Sequence, residues 1–171
     1  MKEFEYLIRD VDDFPKPGIK FKDITPLLSN HEAVNAILNA FILRLKGVRV
    51  DKVVGVESRG FLFGMLLAQK LNAGFVPVRK PGKLPSNTIS ETYSLEYGTD
   101  VLEIHQDAII KNENILVHDD VLATGGTAKA ACQLVNRLGG NIIGVNFLIE
   151  LQFLNGCSQL SEIDVFSVYK Y

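Results

Sequence analysis

The chain has 171 residues, of which 47% are apolar and 22% are charged, a balance typical of one globular domain with a sizeable core. Eighteen basic and twenty acidic residues give a formal net charge of −2, which argues against a nucleic-acid partner because such proteins carry a basic excess. The longest apolar run, FLFGMLLA, is far shorter than the roughly 18 residues that a membrane span needs, so no membrane partner is expected.

Two features of the sequence predict a cytoplasmic location. The first residues, MKEFEYLIRDVDDF, are acidic and lack the basic-then-apolar order of a signal peptide. Cys132 and Cys157 are far apart in the sequence and have no CxxC spacing, as expected for thiols in a reducing compartment.

Apolar periodicity predicts alternating helices and strands. In chain order the predicted elements are a helix at 32–47, a strand at 51–56, a helix at 61–74, strands at 75–80 and 115–119, a helix at 128–140 and a strand at 141–151. Strands that are apolar throughout and alternate with helices predict an α/β fold, with a parallel twisted sheet covered by helices on both faces.

Residues 81–93 interrupt this alternation. They contain Pro81, Gly82 and Pro85 and show no clear period, which is unusual over such a length in a compact domain. We therefore expect a functional loop here, followed by a hairpin at 93–107.

The stretch ILVHDDVLATGGTAKAA, residues 115–131, places two aspartates and a glycine turn where a strand gives way to a helix. In parallel sheets, ligands bind at the carboxyl ends of the strands. The unpaired amides and positive dipole at the start of the helix predict a phosphate cradle at Thr124–Thr127. Asp119 and Asp120 suit the vicinal hydroxyls of a sugar, or Mg²⁺ held through water. A sugar phosphate satisfies both halves; the alternative is a polar helix cap.

Other nucleotide signatures are absent from the sequence. No GxxxxGK[ST] or GxGxxG motif occurs, and GVESRG (55–60) is followed by Phe61 where a phosphate-binding loop would have lysine. These absences argue against a Walker-type nucleotide site and against a dinucleotide site.

A second strand–turn–helix unit, VVGVESRGFLFG, predicts another anion site. Ser58 and Arg59 lie in its turn, and the guanidinium of Arg59 has a fork of donors suited to a phosphate. Arg79, Lys80 and Lys83 follow the next predicted strand. One substrate with phosphate groups at both ends would span these turns, although RKPGK alone is typical of a solvated charge run.

The segment ILVHDDVLATGGTA resembles the phosphoribosyl-pyrophosphate signature of the type I phosphoribosyltransferases. Four further segments are similar to the adenine-specific branch of that family, in order and spacing: FPKPGIKFKDITPLL (14–28), ESRGFLFG (57–64), VRKPGKLP (78–85) and YSLEYG (93–98). The resemblance covers nearly the whole chain. It implies one Rossmann-like domain over 1–171, with a hood segment over about 1–30 and a flexible catalytic loop and hairpin over about 81–104.

The resemblance also implies a reaction of purine salvage, in which N9 of adenine attacks C1 of phosphoribosyl pyrophosphate to give AMP and pyrophosphate. Catalytic roles fall to Arg59 and to Glu96 as acid or base. The other implied substrate contacts are Phe21, Lys22, Ser58, Arg79, Lys80, Lys83, Tyr97, Asp119, Asp120, Ala123, Thr124, Gly125, Gly126 and Thr127. The implied cofactor is Mg²⁺, held mainly by pyrophosphate and water, with Asp119 and Asp120 as candidate protein ligands, and the implied assembly is a homodimer.

Some interpretations remain open from the residues alone. His118 stands where the family usually has Val or Ile; we interpret it as structural, with a further option that it shifts the pKa of Asp119. Glu96 also fits a surface carboxylate, and Phe21 a core aromatic. The alternative functions are transfer to another base, such as xanthine or orotate, and non-catalytic sensing of phosphoribosyl pyrophosphate.

Overall fold

The structure is a computed structural model that describes residues 2–94 and 98–171. Its α-helices are α1 Thr25–Leu28, α2 His31–Arg44, α3 Gly60–Lys70 and α4 Gly126–Arg137. Its strands are β1 Arg9–Val11, β2 Phe21–Asp23, β3 Lys52–Val56, β4 Gly74–Val78, β5 Thr88–Ser94, β6 Thr99–His105, β7 Asn114–Leu122, β8 Asn141–Glu150 and β9 Val165–Lys170. Short 3₁₀ turns occupy Lys2–Leu7, Gln152–Leu154 and Gly156–Leu160.

Five strands form the central sheet in the order β4-β3-β7-β8-β9, and every neighbouring pair is parallel. Alternate side chains of each strand enter opposite cores: Val54 packs in one hydrophobic cluster and Val53 in the other. Helix α4 and the β5–β6 hairpin cover the first face, and α2 and α3 cover the second. The predicted fold class, a parallel sheet with helices on both faces, is confirmed.

Two antiparallel pairs of the described strands lie outside this sheet. Strands β1 and β2 form a short ribbon, with Val11 opposite Phe21, which we call the N-terminal ribbon. Strands β5 and β6 form the hairpin, with Thr88 opposite His105. Both pairs belong to segments that the sequence sets apart from the alternating core.

Three details of the predicted elements are wrong. Residues 88–93 are strand rather than irregular loop, because Ile89 packs on the core and Arg137 of α4 donates to the carbonyl of Ser90. Helix α3 ends at Lys70, and Gly74 begins β4 because its amide donates to the Asp51 carbonyl beside β3. Strand β9 has no counterpart in the prediction.

Strand β7 is also longer than predicted. It continues past the predicted end at residue 119 to Leu122, which pairs with Glu150 of β8. Asp119 and Asp120 therefore lie near the end of β7, in the part of the strand that still pairs with β8. The sheet fixes their backbone. Among the described residues, no helix combines the length and apolar character required to cross a bilayer.

His118 is a fully buried member of β7. Its Nδ1 lies 2.7 Å from Oδ1 of Asn146, and its ring packs edge-on against Phe41 with 5.4 Å between centroids. Burial disfavours the imidazolium more than the contacts with Asn146 favour it, so the pKa of His118 falls to about 4. Burial and the neighbouring groups Asp120 and Arg59 are the main causes that shift the pKa of Asp119, which agrees with the interpretation of His118 as a structural residue.

This histidine is expected to make the fold sensitive to acid. The unfolded chain takes up a proton near the ordinary pKa of 6.5, whereas the folded chain resists protonation down to about 4. Stability from this group is thus complete above pH 6.5 and is lost as the pH falls, by about 2 kcal/mol between pH 7 and pH 5. Urea unfolding of the wild type and of His118→Val at both pH values measures the difference. Parallel losses in the two proteins would contradict this origin.

Candidate active site

Three turns meet at the carboxyl edge of the sheet. Residues 57–60 follow β3, residues 79–83 follow β4, and residues 123–127 follow β7. Because β4, β3 and β7 are adjacent and parallel, their ends bring these turns side by side. The sequence-predicted anion sites therefore share one edge.

The segment 123–127, which we call the phosphate turn, leads from β7 into α4. Gly125 precedes the first helical residue and has φ +86°, a left-handed conformation that glycine adopts without strain. Within the described residues, no side chain caps the helix start. The first amides of α4 therefore remain available, and together with the helix dipole they suit a phosphate.

The acid pair, Asp119 and Asp120, precedes the phosphate turn. Asp120 is buried, and its backbone amide donates to Oδ1 of Asp119 at 2.9 Å. Burial raises the pKa of both carboxyl groups; the neighbouring charge of Asp120 raises that of Asp119 further, whereas Arg59 opposes the rise at Asp120. Because burial disfavours their ionised forms, the two carboxyl groups lower the stability of the fold at neutral pH. Such a loss is typical of residues that serve in binding or catalysis.

Substituting the acid pair is expected to separate activity from stability. Asp119→Asn and Asp120→Asn should each lower kcat/KM by more than about tenfold, which is about 1.4 kcal/mol, because a neutral amide holds ribose hydroxyls or Mg²⁺ less well. The raised pKa means that the ionised acids destabilise the fold at pH 7, so the Asn variants should melt no earlier than the wild type. A helix-capping role predicts the reverse: lower melting temperature and unchanged kcat/KM.

Arg59 connects the acid pair with the N-terminal ribbon. Its Nε lies 2.6 Å from Oδ2 of Asp120, its Nη1 donates to the carbonyl of Lys22 at 3.3 Å, and its guanidinium lies 4.6 Å from the centre of the Phe21 ring. Gly60 lets α3 start this close to β7, because a Cβ there would lie 2.9 Å from Oδ1 of Asp119. The structure thus brings Phe21, Arg59 and Asp120 together.

Lys22 has a different environment. Its ammonium lies 2.6 Å from Oδ1 of Asp10 and 3.6 Å from the centre of the Tyr171 ring. Only its carbonyl contacts Arg59. The Lys22 side chain therefore ties the N-terminal ribbon to Tyr171, while Lys22 itself stays a predicted substrate contact.

Glu57 is a site residue that the sequence argument missed. Its carboxylate accepts hydrogen bonds from Nε of Arg79 at 3.2 Å and from the amide of Lys80 at 2.9 Å. Burial alone would raise the pKa of Glu57, but these donors together lower it. Glu57 thus fixes the start of the RKPGK segment against the turn that holds Arg59. The sequence signal that could have indicated Glu57 was an acidic residue directly before Ser58, together with the basic segment RKPGK after the next strand.

The remaining basic residues of this segment differ in their pairing. The ammonium of Lys80 pairs with Asp100 and donates to the hydroxyl of Tyr93 at 3.0 Å. Lys83 is exposed, and its carbonyl accepts from Nη1 of Arg79 at 3.2 Å. Ser58 is also exposed at the turn. Glu96 and Tyr97, the predicted acid/base and its neighbour, lie outside the described residues.

A magnesium site built by protein ligands alone is not present in the part of the chain that the structure describes: no group of three or more His, Cys, Asp or Glu side chains comes together there. The acid pair does fit a shared ion. Oδ2 of Asp120 is buried and forms an ion pair with Arg59 without hydrogen-bond geometry, which leaves a carboxylate oxygen with unused acceptor capacity. The residues therefore suit Mg²⁺ held mostly by substrate oxygens.

Similarity to known proteins identifies the class of enzyme to which this chain belongs. A family model described as "Phosphoribosyl transferase domain" matches residues 24–163. The sheet, the phosphate turn and the acid pair thus belong to a phosphoribosyltransferase.

Relatives that match over nearly their whole length show which phosphoribosyltransferase family this is. The adenine phosphoribosyltransferase of Flavobacterium johnsoniae is 61% identical over 99% of both chains. The crystal structure of the Thermoanaerobacter pseudethanolicus enzyme superposes with a TM-score of 0.97 at 49% identity, again over 99% of both chains. That of the Saccharomyces cerevisiae enzyme, complexed with D-2,5-dideoxy-2,5-imino-altritol 1,6-bisphosphate and adenine, gives 0.92 at 44% identity, over 97% of this chain and 96% of that one. The chain belongs to the adenine phosphoribosyltransferase family, as its sequence motifs predict.

Proposed function

We propose that this protein transfers the 5-phosphoribosyl group of phosphoribosyl pyrophosphate to adenine, giving AMP and pyrophosphate in purine salvage. The observation that carries the proposal is the position of Arg59, which joins the ribbon residue Phe21 to the ribose-binding candidate Asp120. Base, ribose and pyrophosphate sites thereby converge on one side chain. The structure of the yeast relative is a complex with both adenine and a bisphosphate, which supports adjacent sites for the base and the phosphate groups.

The substrate groups are assigned by charge and shape. The 5-phosphate lies on the amides of the phosphate turn, and the ribose hydroxyls donate to the acid pair. Adenine lies beside Phe21, whose ring is also packed edge-on by Phe14 with 5.0 Å between centroids. The pyrophosphate lies near Arg59 and the residues of the turn at 79–83.

The reaction requires one bond to form and one to break. N9 of adenine bonds to C1 of the ribose as the C1–O bond to pyrophosphate breaks, and the bonding electrons leave with the pyrophosphate oxygen. Positive charge develops on the ribose ring, as in other glycosyl transfers. The N9 proton passes to a base, for which Glu96 is the proposed group. Closely held substrates and excluded water contribute most of the remaining rate enhancement.

Three of the cations assigned to the pyrophosphate are already paired in the structure. Arg59 contacts Asp120, Arg79 contacts Glu57, and Lys80 contacts Asp100. Pyrophosphate binding therefore exchanges partners within a charge-compensated site and does not fill an open cluster of positive charge. This arrangement limits the cost of holding several cations together before the substrate arrives.

Mg²⁺ is the proposed cofactor; when bound, it neutralises charge on the leaving pyrophosphate. Asp119 and Asp120 are the residues that would hold it, together with substrate oxygens. The residues of the chain then act by orientation: the acid pair fixes the ribose, and Arg59 stabilises charge on the leaving group.

The proposed assembly is a homodimer in the cytoplasm. Helix α3 leaves three large apolar side chains exposed, Leu62 at 45%, Met65 at 56% and Leu66 at 38%. Such a group is typical of a surface that another subunit covers. Cys132 and Cys157 are both free thiols, in keeping with a reducing compartment.

Product analysis tests the proposed function. The protein is mixed with phosphoribosyl pyrophosphate, Mg²⁺ and adenine, and AMP and pyrophosphate are quantified over time. We expect both products in equal amounts. Tight binding of phosphoribosyl pyrophosphate with no product from any nucleobase would instead identify a sensor.

A further inference from the structure

The segment Gly156–Leu160 forms a 3₁₀ turn that packs directly behind the phosphate turn. Gly156 is buried, and a Cβ at this position would overlap the carbonyl oxygen of Ala123 and lie 3.0 Å from Cδ1 of Leu122. In the opposite direction, a Cβ on Gly125 would overlap the carbonyl oxygen of Gly156 and lie 3.0 Å from Cβ of Gln159. The two backbones are thus in mutual contact at two points.

We propose that this turn, which we call the supporting turn, is a positioning element for the phosphate turn, and that Gly156 must lack a side chain for phosphoribosyl pyrophosphate to bind. The inference rests on the proposed function, which assigns the 5-phosphate to residues 123–127. Gly156 contacts backbone and no reacting atom, so it is a positioning residue.

The supporting turn has little freedom to move away from the phosphate turn. Cys157 donates its thiol hydrogen to Oε1 of Glu150 at 3.2 Å, and the other carboxylate oxygen of Glu150 lies 3.1 Å from the ammonium of Lys170. At its far end, Gln159 accepts a hydrogen bond from Lys129 of α4 at 3.0 Å. The turn is therefore attached to β8 and to the helix that follows the phosphate turn, and Lys170 of β9 holds the same carboxylate of Glu150.

Backbone geometry explains how this support reaches the ligand. The carbonyl of Ala123 and the amide of Thr124 belong to one planar peptide unit and point in opposite directions. Contact with Gly156 fixes the direction of that carbonyl and therefore the direction of the Thr124 N–H, one of the proposed phosphate donors. A methyl group at position 156 would push on the carbonyl and rotate the donor.

Gly156→Ala is the direct test, with Ser158→Ala as the matched control because Ser158 is exposed in the same turn. We expect the KM for phosphoribosyl pyrophosphate and the inhibition constant of AMP to rise by at least about tenfold. The inhibition constant of pyrophosphate with Mg²⁺, which carries no 5-phosphate, should stay within about twofold of the wild-type value. Ser158→Ala should leave all three constants unchanged.

Gln159→Ala supplies a second test in case Gly156→Ala does not fold. Gln159 is exposed, so its truncation leaves the core intact; alanine keeps the Cβ beside Gly125 but removes the Cγ that also lies near it and the bond to Lys129. The KM for phosphoribosyl pyrophosphate should rise by about threefold or more. An unchanged KM in Gln159→Ala, or in folded Gly156→Ala, would overturn the inference, as would equal weakening of AMP and pyrophosphate. Absence of AMP formation by the wild type would instead refute the proposed function.

Discussion

Replacement of Arg59 by methionine is expected to lower kcat/KM by about 10³, which corresponds to about 4 kcal/mol of transition-state stabilisation. Two losses combine. Removal of one donor to developing negative charge in an enclosed site typically costs about 10²–10³ in rate. Asp120, whose carboxylate lies 2.6 Å from Nε of Arg59, would also lose the cation that favours its ionised form.

Arg44→Met is the matched control for this substitution. Arg44 also pairs with an aspartate, Asp164 at 2.7 Å, but both side chains are about half exposed at the end of α2. Exposed pairs contribute little to stability. We therefore expect Arg44→Met to keep nearly the wild-type kcat/KM, so that steady-state kinetics of the two variants differ by almost the whole factor of about 10³. A loss below tenfold in Arg59→Met would contradict the role assigned to Arg59.

The nucleobase preference is the second large expected effect. Adenine presents a 6-amino donor beside the N1 acceptor, whereas hypoxanthine and guanine present a 6-oxo acceptor beside an N1 donor. Among the described strands, β2 pairs only with β1; the carbonyl of Lys22 accepts from Arg59, and the other backbone groups on the unpaired edge of Phe21–Asp23 are candidates to pair with a base. A site that matches one pattern leaves buried groups unpaired against the other, so kcat/KM for hypoxanthine, guanine and xanthine should be lower by at least about 10³.

Competing bases measured on one protein preparation decide the specificity. Adenine and each 6-oxopurine are supplied at equal concentration with phosphoribosyl pyrophosphate and Mg²⁺, and the nucleotide products are separated. AMP should account for nearly all of the product. Comparable yields from adenine and any 6-oxopurine would assign a broader specificity while leaving the phosphoribosyl transfer intact.

The sequence was sufficient to predict the parallel sheet, apart from β9, and the turns that meet at its carboxyl edge. Continuous apolar strands such as KVVGV (52–56) have few structural options, and the carboxyl ends of parallel strands converge regardless of loop details. Gly125 was assigned to a turn, and its positive φ agrees with that assignment. These features depend on short runs of neighbouring residues, so they can be recognised in the sequence without knowledge of tertiary contacts.

Pairing between distant side chains could not be predicted. Lys22 stays a predicted substrate contact, but the partners of its ammonium, Asp10 and Tyr171, were not predicted because they come from opposite ends of the chain. Glu57 was missed because its two partners, Arg79 and Lys80, belong to another turn. Strand β9 was missed because Ser167 and Lys170 interrupt its apolar pattern; the ammonium of Lys170 pairs with Glu150 of β8 at 3.1 Å.

The length of the loop was overestimated for a related reason. Residues 88–93 contain polar and hydroxyl side chains that alone favour an irregular segment. They form a strand because β6 pairs with them and because α4 supplies Arg137, which contacts Ser90 and Glu91. Such tertiary contacts override the local composition.

The most direct test of the site assignment is a crystal structure of the protein with Mg²⁺ and phosphoribosyl pyrophosphate. We expect the 5-phosphate within hydrogen-bond distance of the amides of residues 123–127, the ribose hydroxyls on Asp119 and Asp120, and the pyrophosphate beside Arg59. A phosphate bound elsewhere, for example in the polar cleft between α4 and residues 158–163 that Lys129 and Asn136 line, would contradict it.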